Sequence, residues 1–321
     1  MGVVRVILAS PIAEEAVHAL RNHHDVVLGY QEPERLRELV RDREALIFRS
    51  GVDISASVME AAPGLQLLIR AGSGFDNIDL EHCRERGIRV VRVPGPSSQA
   101  VAEFTLGLVL ALSRRIVEAD AHLQRGRWPK HELGGHLISG KVMGVVGAGR
   151  IGRRVGEMGA LLGMRVLGCV EHPTTERAEA LAEKGITMAD FDTVVGQAEV
   201  LTVHTPLTPR TTGLIGDAEL DRMPPGGILV NTARGGVVDE SALARALDAG
   251  TLAAAALDVH EKEGEGVLSP LAGRPNVILS PHIGGMAVES QELIGRRAAQ
   301  VIDAYLEGRL DQECTAEERL I

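Results

Sequence analysis

The sequence predicts an α/β protein made of two doubly wound parallel-sheet domains with a cleft between them, and three observations carry that expectation. Short β-rich runs alternate with helical patterns from end to end, which places parallel strands between covering helices. The later strands are almost continuously apolar, as strands buried on both faces are. Residues 144–152 read Gly-Val-Val-Gly-Ala-Gly-Arg-Ile-Gly. This is a glycine-rich turn between an apolar run and an amphipathic helix, the setting of a dinucleotide fingerprint.

In the first part, strands are expected over residues 3–8, 26–28, 45–48, 67–69 and 89–93, with helices over 13–22, 34–42, 56–62 and 80–85 between them. Pro94-Gly95-Pro96 then breaks the chain. Ser97 or Ser98 is placed to cap a long amphipathic helix running to about Arg125. The second part repeats the scheme with six strands, over residues 142–146, 165–170, 200–203, 227–230, 254–258 and 277–279. The final helical stretch, 287–306, is read as returning to cover the first domain. The domain reading is therefore residues 1–98 with 286–321, a discontinuous substrate-binding domain, and residues 99–285, a dinucleotide-binding domain. The polar tail 311–319 is expected to be a solvated end, with no low-complexity segment and no regulatory extension.

A chain of 321 residues is long enough for two domains that each bury a core. Aromatic residues make up only 2%, so that core must come from Val, Leu, Ile and Ala. The net charge of −10 argues against a nucleic-acid-binding face and against an anionic membrane as partner, and leaves local arginines to attract an anionic ligand. Cys83, Cys169 and Cys314 lie far apart without C-x-x-C spacing, which indicates neither a disulfide framework nor a zinc site and fits a reducing, cytoplasmic compartment. The first residues read as a strand and not as a signal peptide. The longest apolar run, 104–112, is far short of the roughly 20 residues of a membrane helix. His18, His23 and His24 read as solvent-facing. His122, His131 and His136 have no partners at metal spacing, so no metal is expected.

Within the fingerprint, Gly147 permits the tight turn, Gly149 lets backbone approach a pyrophosphate, and Gly152 lets helix and strand pack closely. The N–H groups and positive end of the following helix then face the phosphates. Three motifs follow. Residues 230–240 bring Arg234 to the C-terminal end of a strand, where it can grip a carboxylate through two parallel hydrogen bonds. The plain alternative is a surface arginine paired with Asp239 or Glu240. Residues 256–263 place Asp258 to bond a cofactor amide, and Glu261 or Glu263 to orient a histidine. Residues 279–285 place His282 beside Gly284 and Gly285 at the end of a sixth strand, which favours general acid–base work over a structural role.

Residues 147–152, 231–240, 256–263 and 280–285 together resemble the D-isomer-specific 2-hydroxyacid dehydrogenases, in order and spacing, over essentially the whole chain. That resemblance implies two Rossmann-like domains and hydride transfer between NAD(H) and a small anionic D-2-hydroxy or 2-oxo acid, by a homodimer or higher homo-oligomer. It implies that Arg234 binds the substrate carboxylate, that His282 is the acid–base, and that Glu263, not Glu261, is its carboxylate partner. The implied cofactor ligands are Gly147, Gly149, Arg150, Ile151, Gly152, Glu171, Thr205, Thr232, Ala233, Asp258, Gly284 and Gly285. Within the family, residues 46–50, 70–79 and 202–207 resemble the D-3-phosphoglycerate dehydrogenase branch, in a short form without a regulatory domain. This implies that Arg49 and Arg70, with Ser73 and Gly74, hold the anionic far end of the substrate. The alternative is that both arginines serve local ion pairs. Reduction of glyoxylate or hydroxypyruvate, or oxidation of a phosphonate analogue, uses the same chemistry. A reading of another class is an NAD(H)-sensing, dehydrogenase-like corepressor, against which Arg234, Glu263 and His282 argue.

The chain also departs from that family. Counted from Gly152, the acidic residue expected after the second strand of the nucleotide domain is Val170, and Glu171 follows it. Glu171 would repel a 2′-phosphate and no arginine is expected directly beside it, so NAD is favoured without NADP being excluded. Ser97 stands where many relatives carry asparagine, His260 where an aromatic is common, and Gly264 where proline is usual.

Overall fold

The computed structural model describes residues 2–321, which divide into two compact units: 2–100 with Gly285–Ile321, and Val101–Gly284. The first unit holds five strands, β1 (Arg5–Leu8), β2 (Asp25–Val27), β3 (Ala45–Phe48), β4 (Leu67–Arg70) and β5 (Arg89–Arg92). They form one parallel sheet in the order β2-β1-β3-β4-β5. Alternate residues serve opposite faces, as the two-residue period of a strand requires. Leu8, Ile47, Ile69 and Val91 pack with Ile294, Ala298 and Val301 of the helix Val288–Leu306. Leu46, Phe48, Leu68 and Val90 pack with Met59 and Cys83 on the other face. The helix Glu14–Arg21 buries Ala16, Val17 and Leu20, and Gly295 lets it approach the helix Val288–Leu306 closely, since a Cβ there would meet the Ala16 Cβ at 2.7 Å.

Two expectations fail in this unit. The tail is not a solvated end: Leu320 N–H donates to the Val90 carbonyl at 2.9 Å, and Arg92 N–H donates to the Glu318 carbonyl at 2.8 Å. The open edge of β5 offers unpaired backbone groups. The tail satisfies them while Glu318 pairs with Arg297 at 2.8 Å. His24 is buried, with Val4 N–H directed at its Nδ1 (3.5 Å) and Asp303 3.6 Å from its Nε2. His18 and His23 are exposed.

The chain passes from the first unit to the second within the helix Gly95–Ser113. This helix does not run on to Arg125. Arg115 takes left-handed backbone angles (φ 51°), and a separate helix, Ile116–Leu123, follows. Neither Ser97 nor Ser98 caps it, because it already starts at Gly95, with Pro96 in its first turn. Ser98 Oγ donates to the Pro94 carbonyl, and Ser97 Oγ bonds Ser73 Oγ, both at 3.0 Å.

The second unit holds β6 (Val142–Val146), β7 (Arg165–Cys169), β8 (Ile186–Met188), β9 (Val200–Val203), β10 (Gly227–Asn231), β11 (Leu252–Leu257) and β12 (Val277–Leu279). All are parallel, in the order β12-β11-β10-β9-β6-β7-β8. The sequence reading lacked β8, a three-residue edge strand with one fully buried residue, Ile186. His282 therefore follows the seventh strand, not the sixth. Strand order reverses between β6 and β9, whose C-terminal ends meet at Val146 and Val203. Ligands of open α/β sheets bind at such a reversal. All three cysteines are buried and free. Among the described residues no helix is long and apolar enough to cross a membrane.

Candidate functional site

At the strand-order reversal the fingerprint forms an open cradle. Gly147 has φ 89°, and a Cβ on it would lie 2.9 Å from the His204 carbonyl carbon and from Thr205 Cγ2. A Cβ on Gly152 would overlap the Gly147 carbonyl, so only glycine lets the helix Arg150–Leu161 start this close to β6. Gly149 faces open space, with nothing within 4 Å of an ideal Cβ. Arg150 and Ile151 form the first turn of that helix, where backbone N–H groups favour an anion. Beside the cradle, Thr205 Oγ1 and both ring nitrogens of His204 are buried without a hydrogen-bond partner in the described structure. Burial pushes His204 down to about 3, so its ring is neutral. The open glycine turn and these orphaned polar atoms fit a phosphate-bearing dinucleotide. Sequence reasoning selected Thr205 but passed over His204, whose signal was its place directly after β9.

Glu171 is exposed beyond the end of β7, and Val170 packs against the core. The expectation that no arginine stands beside Glu171 is corrected by the fold. Arg210, 39 residues later, reaches its carboxylate at 3.2 Å.

The loops after β10, β11 and β12 carry the remaining second-unit candidates. After β10, Asn231 braces the turn from both ends of its amide: Nδ2 donates to the Arg234 carbonyl at 2.9 Å and Oδ1 accepts from Ala233 N–H at 3.0 Å. Arg234 Nη1 donates to the Ala233 carbonyl at 2.7 Å, and Thr232 Oγ1 lies 2.8 Å from Thr105 Oγ1. Asp239 caps the helix Glu240–Asp248 through Ala242 N–H.

The β11 and β12 loops are tied together by Asp258. Its buried carboxylate accepts from Ser280 Oγ at 2.6 Å, Ile283 N–H at 2.9 Å and Gly284 N–H at 2.7 Å. Its carbonyl accepts from His282 N–H at 2.8 Å. The same carboxylate that the sequence assigns to a cofactor amide thus also holds the histidine turn. His282 itself sits at φ 57°, a left-handed conformation that costs about 1–2 kcal/mol for a residue with a Cβ.

His282 Nδ1 lies 3.0 Å from Glu263 Oε2. The other carboxylate oxygen, Oε1, accepts from His260 N–H at 3.2 Å. Burial raises the Glu263 pKa, but the hydrogen bond and charge of His282, with the His260 N–H, outweigh it and hold the carboxyl below the usual glutamate range. Glu261 is engaged elsewhere, accepting from Glu240 N–H at 3.0 Å. With Nδ1 directed at a carboxylate, Nε2 is the ring atom left to exchange a proton.

Arg49, Arg70, Ser73 and Gly74 lie in the first unit, as does Gly285, whereas Arg234, Glu263 and His282 lie in the second. Arg70 closes β4 and is buried; Arg49 follows β3, the neighbouring strand. Ser73 Oγ donates to the Pro94 carbonyl at 3.0 Å, and Gly74 is half-buried. The Arg49 guanidinium is half-buried. Its Nη2 lies 2.9 Å from Met286 Sδ and its Nε has no hydrogen-bond partner. Among the described residues no carboxylate pairs with it, and burial alone lowers its pKa. Among the described residues no cluster of His, Cys, Asp or Glu could hold a metal ion.

Residues 106–284 match the family described as D-isomer specific 2-hydroxyacid dehydrogenase, NAD binding domain. The chain is 40% identical over 302 residues to a D-3-phosphoglycerate dehydrogenase of Archaeoglobus fulgidus, covering 93% of this chain and 56% of that one. It is 36% identical to a glyoxylate reductase of Aeropyrum pernix, covering 95% and 94% respectively. The phosphoglycerate dehydrogenases it matches are longer, and it spans 49–58% of three of them. Its structure is similar to that of a D-lactate dehydrogenase of Aquifex aeolicus complexed with NAD and lactic acid, with TM-score 0.84, 27% identity and 98% of each chain covered. The chain belongs to the D-isomer-specific 2-hydroxyacid dehydrogenase family.

Proposed function

We propose that this member of the D-isomer-specific 2-hydroxyacid dehydrogenases interconverts a D-2-hydroxy acid and its 2-oxo acid with NAD(H). The observation that carries the reading is the 3.0 Å pair between His282 Nδ1 and Glu263, on a turn fixed by Asp258. Bound in the glycine cradle, NAD would supply or accept the hydride. In oxidation, neutral His282 takes the hydroxyl proton at Nε2. In reduction, the imidazolium, stabilised by Glu263, returns a proton to the carbonyl oxygen. Arg234 binds the substrate carboxylate and polarises the adjacent carbonyl. Gly147, Gly149, Arg150, Ile151, Gly152, Thr205, Thr232, Ala233, Asp258, Gly284 and Gly285 hold the cofactor, with Glu171 toward its adenosine ribose.

For the substrate we propose 3-phosphoglycerate, with Arg49 and Arg70 holding its phosphate and Ser73 and Gly74 beside them. The half-buried Arg49 guanidinium without a carboxylate supports this reading, because such a cation is costly unless an anion joins it. Glyoxylate or hydroxypyruvate is the second reading, favoured by 36% identity to a glyoxylate reductase over 95% of this chain. We place the protein in the cytoplasm, where its three buried free cysteines fit a reducing environment. A homodimer or higher homo-oligomer completes the proposal, supported by the exposed apolar side chains of Ile116, Val117, Leu123 and Trp128.

His282→Ala should lower turnover by about 10²-fold or more with little change in cofactor affinity, the usual size of general acid–base help. Steady-state rates and NADH titration check this, and near-normal turnover would remove His282 from the mechanism. Glu263→Gln should move the alkaline limb of the reductive reaction to lower pH. Without the carboxylate charge, the paired imidazolium gives up its proton sooner as pH rises. An unchanged profile would point to a different partner.

Glu171 should make NAD(H) the better cofactor, and kcat/KM with NADH against NADPH measures it. Because Arg210 stands beside Glu171, Glu171→Gln should narrow that preference by freeing a cation for a 2′-phosphate. Finally, Arg49→Ala should raise KM for 3-phosphoglycerate far more than for glyoxylate, which lacks a distal anion. Equal effects would make Arg49 structural and the phosphoglycerate assignment wrong.

A further inference from the structure

The segment that carries Glu263 is loosely built. Gly264 and Gly266 both take positive φ, 141° and 78°, and no regular element occurs between Leu257 and Val277. Yet Glu263 must be held within hydrogen-bonding distance of His282 for the pair to act. A buried carboxylate from another element supplies the restraint. Glu240, the first residue of the helix Glu240–Asp248, is 3% exposed. Its Oε1 accepts from Glu261 N–H at 2.7 Å and its Oε2 accepts from Ser269 Oγ at 3.2 Å. In return, Glu240 N–H donates to Glu261 Oε1 at 3.0 Å. Ser269 Oγ also accepts from the N–H of Leu271, which is fully buried, so the far end of the segment is fixed to the core. One carboxylate thus pins the glycine-containing segment on both sides of Glu263. Gly235 completes the junction: a Cβ there would overlap the His260 carbonyl, so the Arg234 loop and the Glu263 loop touch backbone to backbone.

We infer that Glu240 is a positioning residue for the Glu263–His282 pair. It holds the 260–269 segment against the helix that follows the Arg234 loop. The inference rests on the acid–base role proposed for that pair. Burial of a carboxylate is tolerated only when it is hydrogen-bonded, and the helix N-terminus favours its charge. Both conditions are met by groups that serve the segment and not the substrate. Glu240 touches neither reacting atoms nor Glu263 itself. It acts through the backbone of Glu261 and through Ser269.

The test compares Glu240→Ala, Glu240→Asp and Glu240→Gln in the full chain. The amide of glutamine can still accept from Glu261 N–H and can donate to Ser269 Oγ. Aspartate keeps the charge at the helix start but is one methylene too short to reach both. Amide hydrogen exchange of peptides covering 258–269 should quicken in the Ala and Asp variants, stay near the parent in Gln, and remain unchanged over β6 and β9. With NADH and glyoxylate, hydroxypyruvate or 3-phosphohydroxypyruvate, kcat should fall about 10- to 100-fold in Ala and Asp, as expected for a displaced catalytic group. KM for NADH should hold, the alkaline limb should move to lower pH, and Gln should restore both rate and profile.

Parent-like exchange over 258–269 in Ala and Asp would overturn the inference. So would faster exchange spread over the whole second unit, or a rate loss with an unmoved pH profile. If Ala fails to fold, Asp decides alone, since it preserves the buried charge. If the parent turns over none of the three 2-oxo acids, the proposed activity falls. The exchange pattern then still decides whether Glu240 holds the segment.

Discussion

The second unit depends on what a buried carboxylate requires. Asp258 ends up 2% exposed just beyond β11, where an unpaired charge would cost several kcal/mol. It can stay only by collecting donors, and the donors within reach belong to the chain just after β12: Ser280 Oγ, Ile283 N–H and Gly284 N–H. Collecting them bends that chain tightly enough to force His282 into a left-handed conformation. Three hydrogen bonds to a charged group, each worth about 1.5–3 kcal/mol, outweigh the strain of about 1–2 kcal/mol. The turn therefore has one shape, and the imidazole it carries meets Glu263 without a search.

The parallel sheet explains why these loops meet at all. Every strand of a parallel sheet ends at the same edge, so β10, β11 and β12, adjacent in the sheet, deliver Arg234, Asp258 and His282 to one edge. The chain separates these residues widely, but the sheet spaces neighbouring strands by about 4.8 Å. β6 and β9 deliver the glycine turn and His204 to that same edge at the reversal of strand order. The fold supplies the gathering. The side chains then settle which groups touch, and the Glu240 carboxylate and the Gly235 backbone draw the Arg234 and Glu263 loops to a common junction.

Much of this was legible because it is local. The continuously apolar strands announced a parallel sheet, and the strands over 45–48, 142–146, 200–203 and 277–279 have the expected bounds. The glycine turn announced the cradle, since its spacing is itself the geometric requirement. What escaped depends on partners distant in sequence. β8 buries too few residues to show a pattern, and it exists because β7 offers an open edge. The tail looked solvated because its polar character is real, yet β5 needed hydrogen-bond partners and Arg297 needed a carboxylate. His24 appeared to face solvent, but the backbone of Val4 directs its N–H at that ring. The choice between Glu261 and Glu263 was open from spacing and required the family resemblance. In the structure Glu261 accepts from the Glu240 backbone and Glu263 lies against the imidazole.

Charge is the remaining constraint, and its local arrangement runs against the global sum. On a chain with net charge −10, both the general repulsion of an anion and the pull of a specific cation act only within about a Debye length, 8–10 Å, so local cations decide where an anion settles. Many arginines here are neutralised by carboxylates, as Arg43 is by Asp25 and Asp42, and Arg245 by Asp217. Arg49 differs, because its guanidinium is half-buried, has a thioether for a neighbour and, among the described residues, has no carboxylate to screen it. Glu171 and Arg210 show the opposite case. Both are largely exposed, so their attraction is weak and easily exchanged for another partner. An unscreened, half-buried cation is stabilised by an incoming anion, whereas an exposed pair exchanges its partners at little cost. On the function proposed above, selectivity for a distal anion would thus rest on the first unit more firmly than selectivity for the cofactor rests on the second.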